Sequence, residues 1–250
     1  MISIGSQGLQ GLMDQLKPLS LRDRIFVLCM KGLEQGTGRR LSQIAEENLD
    51  PSNAVAVWLG PGHVQEFYRG IPNCMVIDSR REDVKRRLVQ SFSSDLIRFY
   101  YGDDLIGNEV GAAAKNVVGI AAGFLDGKGL SSLKGALMSR GTREVARLIQ
   151  AMGGSQLSAY GLCHLGDYEA TVFSRYSHNR QFGESFIRGE TYTDLAEGYY
   201  TVEALVLLGQ RYGVELPICQ AVHRVLYCGA DPMQELRALL DRNLTREFGE

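Results

Sequence analysis

Lys115 lies in the middle of a mostly apolar stretch, Glu109–Asp126, which reads EVGAAAKNVVGIAAGFLD. Apolar side chains recur in this stretch at helical spacing, which predicts a mostly apolar helix that carries one lysine. An ammonium group that is buried without a partner is costly, so such a lysine has a lowered pKa or contacts a carboxylate. It can then give a proton to an oxygen atom and take it back near neutral pH. The alternative is a lysine at the helix edge whose head group reaches solvent, and Lys115 taken alone favours that alternative.

A second segment, Gly161–Gly183, is unusually polar for a helical region and reads GLCHLGDYEATVFSRYSHNRQFG. Its polar residues include Asp167, Thr171, Ser177, Asn179 and Arg180. Asn and Arg donors near a helix end could hold a phosphate, and the carboxylate could pair with a buried lysine. A helix N-cap with surface salt bridges explains the same residues equally well.

Two turns follow directly on apolar runs that are typical of strands buried on both faces of a parallel sheet. Lys31-Gly32 comes after Ile25–Met30, and Gly60-Pro61 comes after Ala54–Leu59. In open α/β sheets, ligands bind beyond the carboxyl ends of the strands, so both turns are placed to contact one. Gly-rich turns are common after strands, so neither turn identifies a site by itself.

The elements that must position these residues change character near residue 102. Residues 1–102 alternate strand and helix patterns, which predicts a mostly parallel α/β sheet with right-handed crossovers and a strand tail at Met1–Ile4. After Asp103 the patterns are helical, at residues 104–125, 133–152, 163–172, 194–212, 217–227 and a last helix after Asp231. We therefore predict an α/β domain at 1–102 followed by an all-α domain at 103–250.

The glycine pattern of a complete dinucleotide-binding sheet is absent from the sequence. Such a sheet begins with a strand, then G-x-G-x-x-G at the start of a helix, then an acidic residue about 20 positions later. Gly5, Gly8 and Gly11 have a three-residue step within a helical stretch, which is the wrong spacing and context. We therefore expect an incomplete doubly wound sheet that starts midway.

Composition narrows the class of protein further. A net charge of −2 gives no electrostatic reason to expect nucleic acid or an anionic membrane as a partner. The five cysteines are never in a CxxC pair, which fits free thiols and a cytoplasmic location. The sequence shows no secretion signal and no run of about 18 apolar residues, so we expect no membrane insertion. His164, His178 and Asp167 do not have the spacing of a common metal site, so we assign no metal.

Six motifs in the same order resemble those of the NAD(P)-dependent glycerol-3-phosphate dehydrogenases of the soluble bacterial type. They are KGLE at 31–34, Gly60-Pro61, GAAAKNV at 111–117, Leu165-Gly166-Asp167, the segment 177–183 and Glu197-Gly198, and Tyr227-Cys228-Gly229 also fits. The resemblance covers nearly the whole chain. It implies a partial NAD(P)-binding Rossmann-like domain at 1–102, lacking its N-terminal part. At 103–250 it implies a helical substrate and catalytic domain of the 6-phosphogluconate-dehydrogenase-like type.

The resemblance also implies an oxidoreductase that interconverts dihydroxyacetone phosphate and sn-glycerol 3-phosphate with NAD or NADP, feeding glycerophospholipid synthesis. Lys115 would be the general acid/base at the C2 oxygen, and Asp167 would orient it. The implied substrate contacts are Lys31, Gly60, Asn116, Ser177, His178 and Asn179. The implied cofactor contacts are Lys31, Val64, His178, Leu195 and Glu197. The partner is then a small phosphorylated substrate, and the resemblance is compatible with a homodimer.

Two positions depart from the family pattern. Gly62 stands where the family has Ser or Thr, so one pocket hydroxyl is missing. His178 stands where the family has Arg, and a mostly neutral imidazole should hold a phosphate less well unless Arg175 or Arg180 compensates. With the absent glycine pattern, these differences leave two alternatives open. One is a non-catalytic homologue that acts as a binding or assembly module, and the other is a dehydrogenase for another phosphorylated or acidic hydroxy substrate.

Overall fold

The computed structural model describes residues 1–62, 64–242 and 247, and a four-stranded sheet forms its first part. The strands, in their order across the sheet, are β1 (Ile25–Leu28), β2 (Ala54–Leu59), β3 (Asn73–Ser79) and β4 (Ile97–Tyr101). The helices that alternate with them are α1 (Leu9–Leu16), α2 (Leu41–Asn48), α3 (Val64–Tyr68) and α4 (Glu82–Phe92). β1 pairs with β2 and β3 pairs with β4 in parallel, which confirms the mostly parallel sheet.

One strand pair differs from the expected parallel arrangement. β2 and β3 are antiparallel, with Ala56 opposite Ser79. The described part of their connection has a single five-residue helix, α3. A parallel pair needs a crossover that runs the length of the sheet, usually a longer helix, so this short connection returns the chain in the opposite direction.

Ile2 lies beside β1 and is hydrogen-bonded to its backbone. Its N–H donates to the carbonyl oxygen of Val27 at 2.8 Å, and its own carbonyl oxygen accepts from the N–H of Cys29 at 3.0 Å. Ile2 is paired with Leu28 as an isolated parallel bridge. The strand tail expected at Met1–Ile4 is therefore a single bridge onto β1.

Helices cover both faces of the sheet because successive strand residues point to opposite sides. Val27 belongs to a cluster that contains Val84 of α4. Its neighbour Leu28 belongs to another cluster, together with Leu9 of α1 and Ile44 of α2. The sheet is thus packed between α1 and α2 on one face and α4 on the other.

Beyond Tyr101 the described residues are helical, which confirms the expected succession of an α/β part and a helical part. The helices are α5 (Leu105–Gly127), α6 (Lys134–Ala151), α7 (His178–Arg188), α8 (Glu197–Tyr212), α9 (Pro217–Cys228) and α10 (Pro232–Leu240). The helix expected at 163–172 is instead a 3₁₀ turn, Leu165–Asp167, followed by a π-helix, Glu169–Phe173. Helix α7 was not predicted. The division into two domains near residue 102 stays a prediction.

Helix α7 has a short apolar pattern in the sequence because part of its contact with α5 is made through backbone. A Cβ atom on Gly123 of α5 would overlap the carbonyl oxygen of Arg180, and one on Gly183 of α7 would overlap that of Ile120. The two helices therefore approach at glycines. This contact replaces part of the apolar stripe by which a helix is recognised in a sequence.

A buried ion pair fixes the start of α5 to the start of α2. Arg40 Nη1 lies 2.5 Å from Glu109 Oε2, and each side chain is 5% exposed. The Glu109 carboxylate also accepts from the N–H of Ser42 at 2.8 Å and from its hydroxyl at 2.6 Å. Lys115 follows Glu109 by less than two helical turns, so this anchor also sets the position of Lys115.

We expect the substitution Glu109→Gln to lower the free energy of unfolding by about 3–5 kcal/mol, because it leaves the buried Arg40 guanidinium without its counter-charge. Urea unfolding measures this loss. The control is Asp83→Asn, which breaks the exposed pair of Asp83 with Arg81, where the side chains are 68% and 54% exposed. That control should cost less than about 1 kcal/mol. Equal losses in the two variants would contradict the anchoring role of Glu109.

Candidate active site

Lys115 is buried in α5, and its ammonium group contacts two side chains. Lys115 Nζ lies 3.0 Å from Asp167 Oδ2 and donates to Thr171 Oγ1 at 2.7 Å. The lysine side chain is 9% exposed. The lysine is therefore an internal one, and the alternative of an edge lysine that reaches solvent does not apply.

Asp167 ends the 3₁₀ turn and faces a second lysine as well. Its Oδ2 atom lies 2.6 Å from Lys31 Nζ, and Lys31 Nζ also donates to the carbonyl oxygen of Gly60 at 2.5 Å. The turns that follow β1 and β2 thus meet at the carboxylate that Lys115 contacts. Gly60 has φ +123°, a conformation that favours glycine, and a Cβ there would lie 3.2 Å from Met75 Cα.

Burial dominates the electrostatics of Lys115. Removal from water lowers the pKa of its ammonium group to about 8. The Asp167 carboxylate acts in the opposite direction and raises the pKa, while the positive charge of Lys31 lowers it further. A lysine with this pKa is present in both protonation states near neutral pH, as a general acid/base must be.

Two further expected site residues, Asn116 and Asn179, converge on the same part of α5. Asn116 is buried, and its side-chain NH₂ donates to the carbonyl oxygen of Lys31 at 2.8 Å. Asn179 Oδ1 accepts from the N–H of Gly198 at 2.8 Å, at the start of α8. A Cβ on Gly198 would lie 2.7 Å from the carbonyl oxygen of Asn116. The starts of α7 and α8 therefore pack directly beside Lys115.

Ser177 and Arg180 have structural contacts at the start of α7. Ser177 is the N-cap, and its hydroxyl accepts from the N–H of Arg180 at 3.3 Å. The Arg180 guanidinium lies 2.7 Å from Asp126 Oδ2 and 3.0 Å from Glu184 Oε2. Arg175 donates to the hydroxyl of Tyr176 at 2.7 Å. Both arginines considered as a compensating phosphate grip thus have partners elsewhere.

His178 is exposed and lies apart from the lysine pair. Its Nδ1 atom is 2.8 Å from the hydroxyl of Tyr192 and 3.7 Å from Asp194 Oδ2. The described contacts do not join His178 to Lys115 or Asp167. A ligand held by His178 would extend from the buried lysine pair to this surface.

Sequence reasoning gave no role to Thr171 or His164. Thr171 lies in the π-helix and accepts from Lys115, and its position was visible only as one polar residue among several. His164 is fully buried, with Nδ1 2.8 Å from the carbonyl oxygen of Gly111. No spacing in the sequence indicates that either residue contacts α5.

Two family models match the chain in succession. The C-terminal model of NAD-dependent glycerol-3-phosphate dehydrogenase matches residues 104–237, and the N-terminal model of the same family matches residues 1–85. The chain belongs to the NAD-dependent glycerol-3-phosphate dehydrogenase family. The match to both models confirms the resemblance found in the sequence motifs.

Individual relatives give the same result. The chain is 34% identical to a glycerol-3-phosphate dehydrogenase [NAD(P)+] of Chlorobium limicola, over 98% of this chain and 77% of the relative. It is 41% identical to the enzyme of that name from Thermus thermophilus, over 89% of this chain and 70% of the relative. A crystal structure of glycerol-3-phosphate dehydrogenase from Coxiella burnetii superimposes with a TM-score of 0.88 at 30% identity, covering 95% of this chain and 75% of that one.

Two of the residues expected to contact the cofactor, Leu195 and Glu197, lie beside the first turn after Ile4. The Glu197 carboxylate accepts from the N–H of Ser6 at 2.8 Å and also from the Ser6 hydroxyl. A Cβ on Gly5 would lie 3.4 Å from Leu195 Cδ2, and a Cβ on Gly32 would overlap the Ser6 side chain. Leu195 is exposed. Exposed apolar surface beside a carboxylate and bare backbone fits a nicotinamide ring and its amide. Val64 is exposed at the start of α3.

Met75 and Phe67 occupy the space beside Gly62, where the family pattern has a hydroxyl residue. A Cβ on Gly62 would lie 2.6 Å from Met75 Sδ and 2.6 Å from Phe67 Cζ. The N–H of Gly62 donates to Met75 Sδ at 3.1 Å. Restoring a serine here would therefore displace packed side chains.

We expect Gly62→Ser to lower the free energy of unfolding by about 1–3 kcal/mol, the usual cost of overpacking. Urea unfolding measures the change. The matched control is Gly135→Ser on α6, where a Cβ meets nothing within 4 Å. This control should leave stability unchanged or raise it slightly, because serine has the better helix propensity. If Gly62→Ser were as stable as the control, the space beside Gly62 would be open.

Proposed function

We propose that this chain is an oxidoreductase that interconverts dihydroxyacetone phosphate and sn-glycerol 3-phosphate with NAD(P)H, and so feeds glycerophospholipid synthesis. The observation that carries the proposal is the buried Lys115–Asp167 pair, with 3.0 Å between Nζ and Oδ2, in a chain of this family. A binding or assembly module has no need for a desolvated ammonium group at a shared carboxylate. The pair therefore favours turnover over the non-catalytic alternative.

Lys115 moves the proton at the C2 oxygen of the substrate. During reduction it donates a proton to the ketone oxygen, and during oxidation it removes one from the hydroxyl. Asp167 holds the ammonium group in place, and Thr171 fixes its direction by accepting one of its three hydrogens. When bound, NAD(P)H would contribute hydride transfer to C2, and NAD(P)+ the reverse.

The charges of the site suit an anionic substrate. Lys31 and Lys115 share one carboxylate, that of Asp167. With both lysines protonated, the cluster has a net positive charge in a partly buried position. A phosphate ester is attracted to such a cluster, and a positive charge also stabilises the negative charge that develops on the C2 oxygen during reduction.

The remaining substrate contacts are assigned to the turns and helix ends around Lys115. We assign the phosphate and the hydroxyls of the substrate to Asn116, Ser177, His178 and Asn179, and one wall of the pocket to the backbone of Gly60. The support is that the Asn179 side chain accepts from the N–H of Gly198, and that Gly198 also packs against the carbonyl oxygen of Asn116. The N-terminus of α7 adds backbone N–H groups that suit an anion.

NAD or NADP is the cofactor. We assign its nicotinamide end to Lys31, Val64, Leu195 and Glu197, and a further cofactor contact to His178. The contacts of Ser6 with Glu197 and the exposed Leu195 support this assignment. We also propose a cytoplasmic location, supported by five free cysteines, and a homodimer, which sedimentation velocity would test. The described helices include none that is long and apolar enough to cross a membrane.

We expect Lys115→Met to retain the fold and to lower kcat/KM for dihydroxyacetone phosphate by about 10²–10⁴-fold, the usual contribution of a general acid/base. The assay follows NADH or NADPH oxidation by the purified protein. The control is Lys134→Met, since Lys134 is also buried and lies 2.6 Å from a carboxylate, that of Asp126. This control should keep activity within a few-fold of the parent. A Lys115→Met variant as active as the control would remove Lys115 from the mechanism.

The pH dependence follows from the pKa of Lys115, which burial lowers to about 8. Reduction needs the ammonium form, so kcat/KM for dihydroxyacetone phosphate should fall as the pH rises through about 8. Oxidation needs the neutral amine, so kcat/KM for glycerol 3-phosphate should rise over the same range. In Lys31→Met the loss of a neighbouring positive charge raises the pKa of Lys115. The fall in the reduction profile and the rise in the oxidation profile should therefore both move to higher pH. If both profiles stay at the same pH in Lys31→Met, a group other than Lys115 determines the pH dependence.

A further inference from the structure

His164 is a fully buried histidine whose two ring nitrogens both have partners. Nδ1 lies 2.8 Å from the carbonyl oxygen of Gly111, and Nε2 lies 2.7 Å from the hydroxyl of Tyr168. A carbonyl oxygen can only accept, so Nδ1 carries the proton. In the neutral ring Nε2 is then the acceptor, and the Tyr168 hydroxyl donates to it.

His164 is bonded to the backbone on both sides of the Lys115–Asp167 pair. In an α-helix the carbonyl oxygen of Gly111 also accepts the N–H of Lys115, four residues later. The carbonyl oxygen of His164 accepts from the N–H of Asp167 at 3.0 Å. One residue therefore connects the backbone that carries the lysine with the backbone that carries the carboxylate.

Tyr168 holds His164 from the other side. It is fully buried next to Asp167 in the chain, and its hydroxyl lies 3.3 Å from Thr142 Oγ1 on α6. The His164 and Tyr168 rings pack with centroids 4.9 Å apart. Glycine allows the close approach to α5, since a Cβ on Gly111 would lie 3.0 Å from His164 Cβ. The contacts from Gly111 to Thr142 thus link α5, the Asp167 turn and α6.

We propose that His164 and Tyr168 are positioning residues, which hold the Asp167 carboxylate at its distance from the Lys115 ammonium group. This inference rests on the proposed function. The distance matters because Asp167 Oδ2 is shared at 2.6 Å with Lys31 and at 3.0 Å with Lys115. A small rotation of the turn would favour one lysine at the expense of the other.

The charge state of His164 suits this role. The charged groups that face it are Lys115 and Asp167, and Glu144 faces Tyr168. Burial lowers the pKa of His164 to about 4, so the ring adds no third positive charge to the site at neutral pH. Burial likewise raises the pKa of the Tyr168 hydroxyl, which therefore keeps its proton for Nε2.

The substitution Tyr168→Phe removes the donor to His164 Nε2 and keeps the ring. We expect kcat for dihydroxyacetone phosphate reduction to fall by about 10–10²-fold, as for a sub-ångström misplacement of catalytic groups, with KM changed much less. We expect the pKa of Lys115 to fall, because a displaced Asp167 no longer opposes the effect of burial. NMR titration of ¹³C-labelled lysine follows this pKa without an activity assay. The fall of the reduction rate at alkaline pH should move to lower pH with it.

The control is Ile149→Val, which removes one methylene group from a core cluster that contains neither His164 nor Tyr168. Like Tyr168→Phe, it should lower the melting temperature by a few degrees. Unlike Tyr168→Phe, it should leave both kcat and the Lys115 titration unchanged. A Tyr168→Phe variant that matches this control in kcat and in Lys115 pKa would overturn the positioning role. Inactive wild-type protein would overturn the proposed function instead, and the Lys115 titration would still test the positioning.

Two further measurements cover a Tyr168→Phe variant that does not fold. Thr142→Val removes the hydroxyl next to Tyr168 and should give a smaller shift in the same directions. In wild-type protein, ¹⁵N NMR of the four histidines should show one, His164, neutral and protonated on Nδ1 from pH 6 to pH 9. A His164 ring protonated on Nε2, or one that titrates near its ordinary pKa, would contradict the inference.

Discussion

The removal of the Lys115 ammonium group from water is the constraint on which the rest of the structure depends. An unpaired charge would be too costly to bury, and here Asp167 and Thr171 satisfy it. The carboxylate, in turn, is held by a turn that can lie against α5 only where glycine leaves room. The ion pair therefore requires the turn that carries Asp167 to pack closely against α5. The small residues of α5 make this close packing possible.

Both halves of the chain contribute residues to the cluster around Asp167. Lys31 and Gly60 follow strands, and the bond of 2.5 Å between them fixes both turns to each other. Lys115 and Asp167 come from the helical region. The Asn116 side chain donates a hydrogen bond of 2.8 Å to the carbonyl oxygen of Lys31. Helix α5 is therefore attached to the turn that carries Lys31, the second lysine in contact with Asp167. A shift of the sheet against α5 would change the charge balance at the site.

The sequence predicted those parts of the structure that periodicity or a motif encodes. The strands, helix α5 and the sheet followed by helices were expected because buried strands and amphipathic helices have regular patterns. Helix α7 was missed because part of its contact with α5 is made through backbone, at Gly183 and Gly123, which shortens its apolar pattern. The antiparallel pair of β2 and β3 was missed because strand direction depends on the connection, not on the strand residues.

The sequence predicted the central ion pair of the site but not the residues packed around it. Lys115 and Asp167 were expected to pair, and they do so at 3.0 Å. Thr171 and His164 could not be given partners, since a single Thr or His in a polar segment has no characteristic spacing. The effect of Gly62 was also inaccessible, because the sequence shows that a hydroxyl is missing but not that Met75 and Phe67 fill the space. Such contacts join residues far apart in the chain, and only the fold defines them.

The small residues of α5 connect stability with chemistry. Gly111, Gly119 and Gly123 let His164, Thr171 and Arg180 approach the helix more closely than a Cβ would permit. Close packing excludes most water from Lys115, and this exclusion lowers the pKa of its amine to about 8. A larger residue at one of these glycines would push a neighbour outward and admit solvent. The pKa of the lysine would then rise towards its ordinary value, so the packing density around α5 is itself a determinant of the acid/base chemistry.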